Sequence, residues 1–369
     1  MFKDIFLFEL KYRLRRPATY IYFVVLMLVG ILYGAILAGA AGSQPASQFT
    51  GGGNNLANSP IVLHQLILAL TQIAGTFIIA AFMAVPIYRD FRYEMHSLLY
   101  TKPISKFSYL SGRFSASFLI MLVVLLGLGV GVILAMHYPD YANPPKLGPF
   151  NLWHYLNPYL INVLPYAFFT GAIFFATVSL TRNEYFIYLN AILILVLFSV
   201  ASGILSTVDN KLIGSLLDPT GGAAFANTVE YWTVFERNNQ TIGLSGPVLF
   251  NLLIWLAVGI GILVFTYRSF TLTHAKPELI GRKSTLTEKS PSIFDTLSLR
   301  KVNLPKVSQR FDFGASLSLL KRLYFREIKS ILRSPIFLVI LGVAALFVII
   351  GLAFGNQAAP YGIGSLPVT

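Results

Sequence analysis

Seven long apolar runs, broken by shorter polar segments, set the rhythm of the chain. They extend from Ala18 to Ala40, Ile61 to Ile87, Phe114 to Met136, Tyr159 to Leu180, Phe186 to Leu205, Val248 to Tyr267 and Ile336 to Phe354. None of these runs contains Asp, Glu, Lys or Arg. A helix rises ~1.5 Å per residue, so about 20 apolar residues cross the hydrocarbon layer of a bilayer. Each run therefore predicts a membrane-spanning helix. Pro86, Pro165, Gly127, Gly129 and Gly131 lie inside the runs; such residues disfavour a soluble helix but are common in membrane helices. The fold class expected from this pattern is an all-α polytopic membrane protein.

The charges sort by side. If the connections alternate between inside and outside, every one of the 28 Lys and Arg residues except Lys146, Lys211 and Arg237 falls on the side of the amino terminus. Cytoplasmic loops favour Lys and Arg, which places that terminus inside. The net charge of +13 is then a topology signal. It does not call for nucleic acid, which would need a compact basic fold with interleaved base-stacking aromatics. Only 12% of the 369 residues are charged and 55% are hydrophobic, well outside the usage of soluble domains. With no cysteine, disulfides and thiolate metal sites are excluded. The first 17 residues, MFKDIFLFELKYRLRRP, lack the apolar core and small-residue cleavage site of a secretory signal.

One segment recurs. Glu9-Leu10-Lys11, Leu14-Arg15 and Pro17 return at a constant offset as Glu327-Ile328-Lys329, Leu332-Arg333 and Pro335, each copy just ahead of an apolar run. In the second copy Leu317, Leu320, Tyr324, Ile328 and Ile331 form one helical face and Arg322, Arg326, Lys329 and Arg333 the opposite one, the pattern of a helix lying in the membrane interface. Lys11 and Arg15 share a face in the first copy. The expected organisation is an interfacial helix over 1–17, a six-span module over 18–267, and a polar cytoplasmic linker over 268–316. A second interfacial helix over 317–335 and a seventh span over 336–354 open a second module, with 355–369 an external tail. On this reading the natural polypeptide is expected to continue past 369.

The segment between the second and third runs holds Asp90, Arg92, Glu94, paired Leu98-Leu99, Pro103-Ile104-Ser105 and Gly112-Arg113. It resembles the first cytoplasmic loop of type-two ABC exporter permeases, departing at Glu94-Met95-His96-Ser97, where that family often has Gly-Thr-x-Glu. The resemblance implies a coupling helix resting on a separate ABC ATPase subunit, which would carry the ATP and Mg, and a basic amino-terminal helix along the surface of the lipid bilayer. It also implies a second permease module, in the same polypeptide or by dimerisation, in a bacterial cytoplasmic (inner) membrane. The family places short helices in a long external segment before its last span, a position Asp209 to Gly246 would fill, with Tyr231 and Trp232 as interface anchors. Physically, the loop would offer apolar Met95, Leu98 and Leu99 and charged Asp90, Arg92 and Glu94 to a partner. A narrower resemblance, carried by FELKYRLRRPATY and the repeat, is to bacterial proteins in which two such modules precede a zinc aminopeptidase-like domain. No His-Glu-x-x-His occurs here.

No phosphate-binding Gly-x-x-x-x-Gly-Lys-Ser/Thr occurs either, so an ATP-driven machine would need its ATPase on another chain. Ion-coupled carriers usually keep an acidic or basic residue within their spans, and these runs contain no Asp, Glu, Lys or Arg. Gln65, Gln72 and Asn190 are the candidates for lining a pathway, with interhelical hydrogen bonding as their structural alternative. His64 reads as an interfacial polar residue. Gly30-x-x-x-Gly34 and Gly127-x-x-x-Gly131 would permit close helix packing, though such matches arise readily by chance. The reading is an ATP-driven export permease subunit without catalytic or metal-binding residues of its own. The alternative is a membrane anchor or signal-transmitting module for a downstream enzymatic domain.

Overall fold

The computed structural model describes residues 1–37, 55–93, 95, 99, 101, 103–137, 147–182, 186–187, 189–196, 211–272, 318, 320–326 and 328. Among them every regular element is a helix. They are α1 (Phe2–Leu14), α2 (Pro17–Leu37), α3 (Pro60–Arg92), α4 (Lys106–Met136), α5 (Leu152–Thr181), the short α6 (Lys211–Leu217), α7 (Gly222–Val229) and α8 (Val234–Asn239), and α9 (Gly246–Ser269). Helices α2, α3, α4, α5 and α9 are long and apolar enough to cross a membrane. They account for five of the seven expected spans. Of the fifth run, residues 186–187 and 189–196 are described and are helical; the seventh run lies outside the described residues, as does most of the linker.

The helices begin and end where local chemistry directs. Proline opens α2 and α3, where its missing N–H costs nothing because the first helical amides have no intrahelical partner. Ser59 caps α3 by accepting from the Val62 amide, and Ser105 caps α4 by accepting from the Ser108 amide. Arg182 ends α5 in the left-handed region at φ 53°. The C-terminal carbonyls of α1 are satisfied by the residues that open α2: the Thr19 hydroxyl donates to Arg13 and the Tyr20 hydroxyl to Leu14, each at 2.8 Å. That pair fixes the corner between α1 and α2.

Beside the shared apolar core, two local devices join neighbouring spans. Helices α2 and α4 are joined by interdigitated glycines, so the two Gly-x-x-x-Gly motifs face each other. A Cβ at Gly131 would sit 2.1 Å from the Met27 carbonyl oxygen, one at Gly30 2.3 Å from that of Leu128, and one at Gly127 2.7 Å from that of Phe23. Glycine lets the backbones approach to a distance that any side chain would prevent. The second device is a hydroxyl wedged into α4. Tyr159 donates to the Leu125 carbonyl at 3.1 Å and accepts from the Gly129 amide at 2.8 Å, groups four residues apart that pair in an ordinary α-helix. Tyr159 opens a π-helical turn in α5 (Tyr159–Val163), and α3 carries another at Thr71–Gly75. Just beyond the α3 turn, Thr76 and Tyr166 join their hydroxyls at 2.6 Å.

The contacts between helix ends agree with the alternation read from the charges. Glu9, Arg89 and Arg113 meet at one end, where Lys106 also donates to the Arg268 carbonyl and Arg182 to that of Thr271. At the other, Asn58 pairs with Gly148, the Leu56 amide with Asn238, and Asn157 with the Ile242 carbonyl. The chain divides into two units, the first containing Met1–Ala275 and the second Lys276–Ala345. In the second unit the described residues 318, 320–326 and 328 are helical, and Arg322 and Arg326 are exposed. Lys329 and Arg333, assigned to the same interfacial helix, lie outside the described residues.

Candidate functional site

The sequence gives α1 a row of charges next to an apolar face, and the structure divides them by depth. Lys11 and Arg15 are exposed, as are Phe2, Leu7 and Phe8, a surface suited to a bilayer interface. Glu9 and Arg13 point the other way and are buried, Glu9 at 0% exposure. Arg113 binds Glu9; Arg89 reaches it at 2.7 Å and Arg13 at 2.9 Å. Arg113 also pairs with Asp90 at 2.7 Å, and the Tyr109 hydroxyl donates to the same Asp90 oxygen at 2.8 Å. Burial pushes the Glu9 carboxyl up, but the guanidiniums of Arg113, Arg13 and Arg89 outweigh it and hold the group below the ordinary glutamate value. Three chain segments, α1 and the facing ends of α3 and α4, thus share one buried ionic cluster. Removing one partner from such a cluster costs about 3–5 kcal/mol, because it strands a charge away from water.

This cluster roots both ends of the loop between α3 and α4, and it revises the picture of that loop. Asp90 is 3% exposed and committed to Arg113 and Tyr109, so its charge faces inward and is not offered to a partner. Asp90 and Arg92 belong to the end of α3 and not to a separate loop helix, since Tyr93 leaves the helical region. Ile104 packs against the core and Ser105 is the α4 cap, so the Pro-Ile-Ser element is in large part a helix start. From the end of α3 to the α4 cap, the exposed described residues are Arg92, Tyr93, Met95, Thr101, Pro103 and Ser105, while Leu99 is half-buried against the core. Glu94 and Leu98 lie outside the described residues.

The signal for the cluster was present in the sequence but scattered. Glu9 stood in the repeated segment, Arg89 and Asp90 just past the second apolar run, and Arg113 just before the third. Nothing along the chain shows that these positions converge.

At the opposite end, α6, α7 and α8 occupy the stretch where short helices were expected. The Asn251 carboxamide on α9 donates to the Ser215 and Asp218 carbonyls at 2.7 Å each, and the Trp255 indole to that of Leu216. These bonds satisfy the last carbonyls of α6. The Asp218 carboxylate accepts from the Thr220 and Ala223 amides, pinning the turn into α7, where Gly221 takes φ 74°. A small pocket beside this turn is lined by Asn162, Tyr166, Thr220, Asn251 and Trp255. His64 is not an exposed interfacial residue: it is 1% exposed and stacks on Phe225 of α7, ring centroids 4.5 Å apart. Tyr231 is exposed, whereas Trp232 packs against the apolar cluster under α7.

The pathway candidates are not gathered into one constellation. Gln65 and Gln72 are both half-buried on α3, Gln72 within its π-helical turn. Asn190 donates to the Thr177 hydroxyl of α5 at 2.6 Å, an interhelical hydrogen bond. No group of three or more His, Asp and Glu residues among the described ones could hold a metal ion.

No family model matches the chain, and no characterised protein matches its sequence. Among the described residues, which are all-helical in their regular structure, five long apolar helices mark a multi-pass membrane protein.

Proposed function

We propose that the chain is the transmembrane permease component of an ATP-driven exporter, coupled through the α3–α4 loop to an ATPase on a separate polypeptide that carries the ATP and Mg. The observation that supports this reading is the mounting of the loop. Its two ends are clamped to each other and to α1 by the Glu9–Arg89–Asp90–Arg113 cluster, while Arg92, Met95 and Pro103 between them are exposed. A rigid base beneath a loop that presents an apolar group and a cation suits transmission of force from a docked partner. Loops that only connect spans need no such base.

The test is co-reconstitution with an ABC ATPase from the same organism, one encoded next to this gene if the neighbourhood holds one. Met95→Cys introduces the only cysteine, so a crosslink from it reports contact with the partner directly. Met95→Ala together with Arg92→Glu is expected to cut ATP-driven transport at least tenfold with folded protein retained. Asp90→Lys is expected to lower the yield of folded protein instead, because its partner groups are internal. Absence of the crosslink together with unchanged coupling refutes the proposal.

A further inference from the structure

Proline inside a helix leaves a specific vacancy: its nitrogen has no hydrogen, so the carbonyl four residues earlier loses its donor. In α3 the proline is Pro86 and the orphaned carbonyl belongs to Phe82. A buried carbonyl without a partner is costly. Here the donor comes from another helix, since Nη2 of Arg13 on α1 reaches the Phe82 oxygen at 2.8 Å. The same guanidinium lies over the Phe82 ring, 5.1 Å from its centroid, and its Nε binds Glu9 one turn back on α1 at 2.9 Å. Glu9 in turn holds Arg89 and Arg113 at the two ends of the loop.

We propose that Arg13 is a positioning residue that locks a hinge at Pro86: while α1 is docked, its guanidinium replaces the missing amide hydrogen and holds α3 in one conformation there, and when α1 lifts, the hinge is released. Two features make the lock removable. The Arg13–Glu9 pair lies within α1 and survives undocking, so Glu9 never loses every counter-charge. The Phe82 carbonyl lies in the half of α3 that carries the charged cluster, so a freed oxygen there has polar groups within reach. In the setting of the proposed function, a partner pressing on the loop would reach the hinge through Arg89, Arg113 and Glu9. That consequence rests on the exporter reading, whereas the lock itself does not.

The experiment is a double-mutant cycle in the full chain in nanodiscs, with docking of α1 read by maleimide labelling of Ile5→Cys. Ile5 packs over Gly112 of α4, and the chain has no other cysteine. With Pro86 present, Arg13→Leu is expected to speed labelling about tenfold, the scale of one charge-assisted hydrogen bond. With Pro86→Ala, which restores the amide hydrogen inside α3, the same substitution is expected to change the rate less than about threefold. Equal factors in the two backgrounds overturn the proposal. If Arg13→Leu alone fails to fold, recovery of folded protein in the Arg13→Leu/Pro86→Ala double variant supports the lock and continued failure overturns it. Repeating the labelling with the ATPase and Mg-ATP separates the two readings, because an intact cycle with no nucleotide response removes only the exporter role.

Discussion

Among the described glycines, a Cβ at Gly131 would meet its neighbour at the shortest distance, and this gives the sharpest quantitative expectation. A Cβ there would meet the Met27 carbonyl oxygen at 2.1 Å and the Ile31 nitrogen at 2.9 Å, both backbone atoms that no rotamer change can move. Real Cβ contacts stay beyond 3.0 Å, so Gly131→Ala must drive α2 and α4 apart by about 1 Å at that level. The neighbouring glycines at 30, 34 and 127 lie in the same seam, and the separation loosens their contacts too. A gap of 0.5–1 Å forfeits about a quarter to a half of each dispersion contact, and overpacking of a tight interface costs about 1–3 kcal/mol. Together the two effects put the loss at about 2–4 kcal/mol, roughly a 30- to 1,000-fold fall in the folded-to-unfolded ratio. Reversible unfolding in mixed micelles, followed by circular dichroism, measures it. Gly261→Ala on α9 is the control, because a Cβ there meets nothing within 4 Å. If Gly131→Ala unfolds with the wild-type midpoint, or no earlier than Gly261→Ala, the glycine seam does not hold these helices together.

Two further expectations concern the buried polar groups. Glu9→Gln strands Arg13, Arg89 and Arg113 with a single carboxylate, and a loss of about 3–5 kcal/mol is expected. Because the folded-state pKa of Glu9 lies below the ordinary 4.5, its stabilisation is complete above that value and is lost as pH falls through the lower folded one. The gap in melting temperature between wild type and Glu9→Gln should therefore be constant at neutral pH and narrow below about pH 4.5; a gap that widens on acidification refutes the assignment. Tyr159→Phe removes a hydroxyl that both donates and accepts, and a loss of about 1–3 kcal/mol is expected in the same unfolding assay. A neutral result would mean that Leu125 and Gly129 simply pair with each other once the wedge is gone.

The sequence by itself determined the class of protein and the positions of its spans. Uncharged runs of about 20 residues have one stable disposition in a bilayer, a helix with its backbone groups paired internally, and α2, α3, α4, α5 and α9 lie where the runs predict. The grouping of the described helix ends is consistent with the alternation expected from the placement of Lys and Arg. The tertiary structure decided which residues serve the interior and which remain on the surface. Asp90 reads in sequence as part of a charged loop and becomes a buried counter-ion, because Arg113, more than 20 positions away, folds back onto it. The motif spacing of Gly30, Gly34, Gly127 and Gly131 is common by chance, and only the facing of α2 and α4 gives it meaning. Arg13 shows the limit most clearly. Its basic character marks an interfacial helix, but the carbonyl it satisfies lies 69 residues away, orphaned by a proline in a different helix. Periodicity is a property of one segment, whereas the completion of hydrogen bonds and ion pairs is a property of segments brought together.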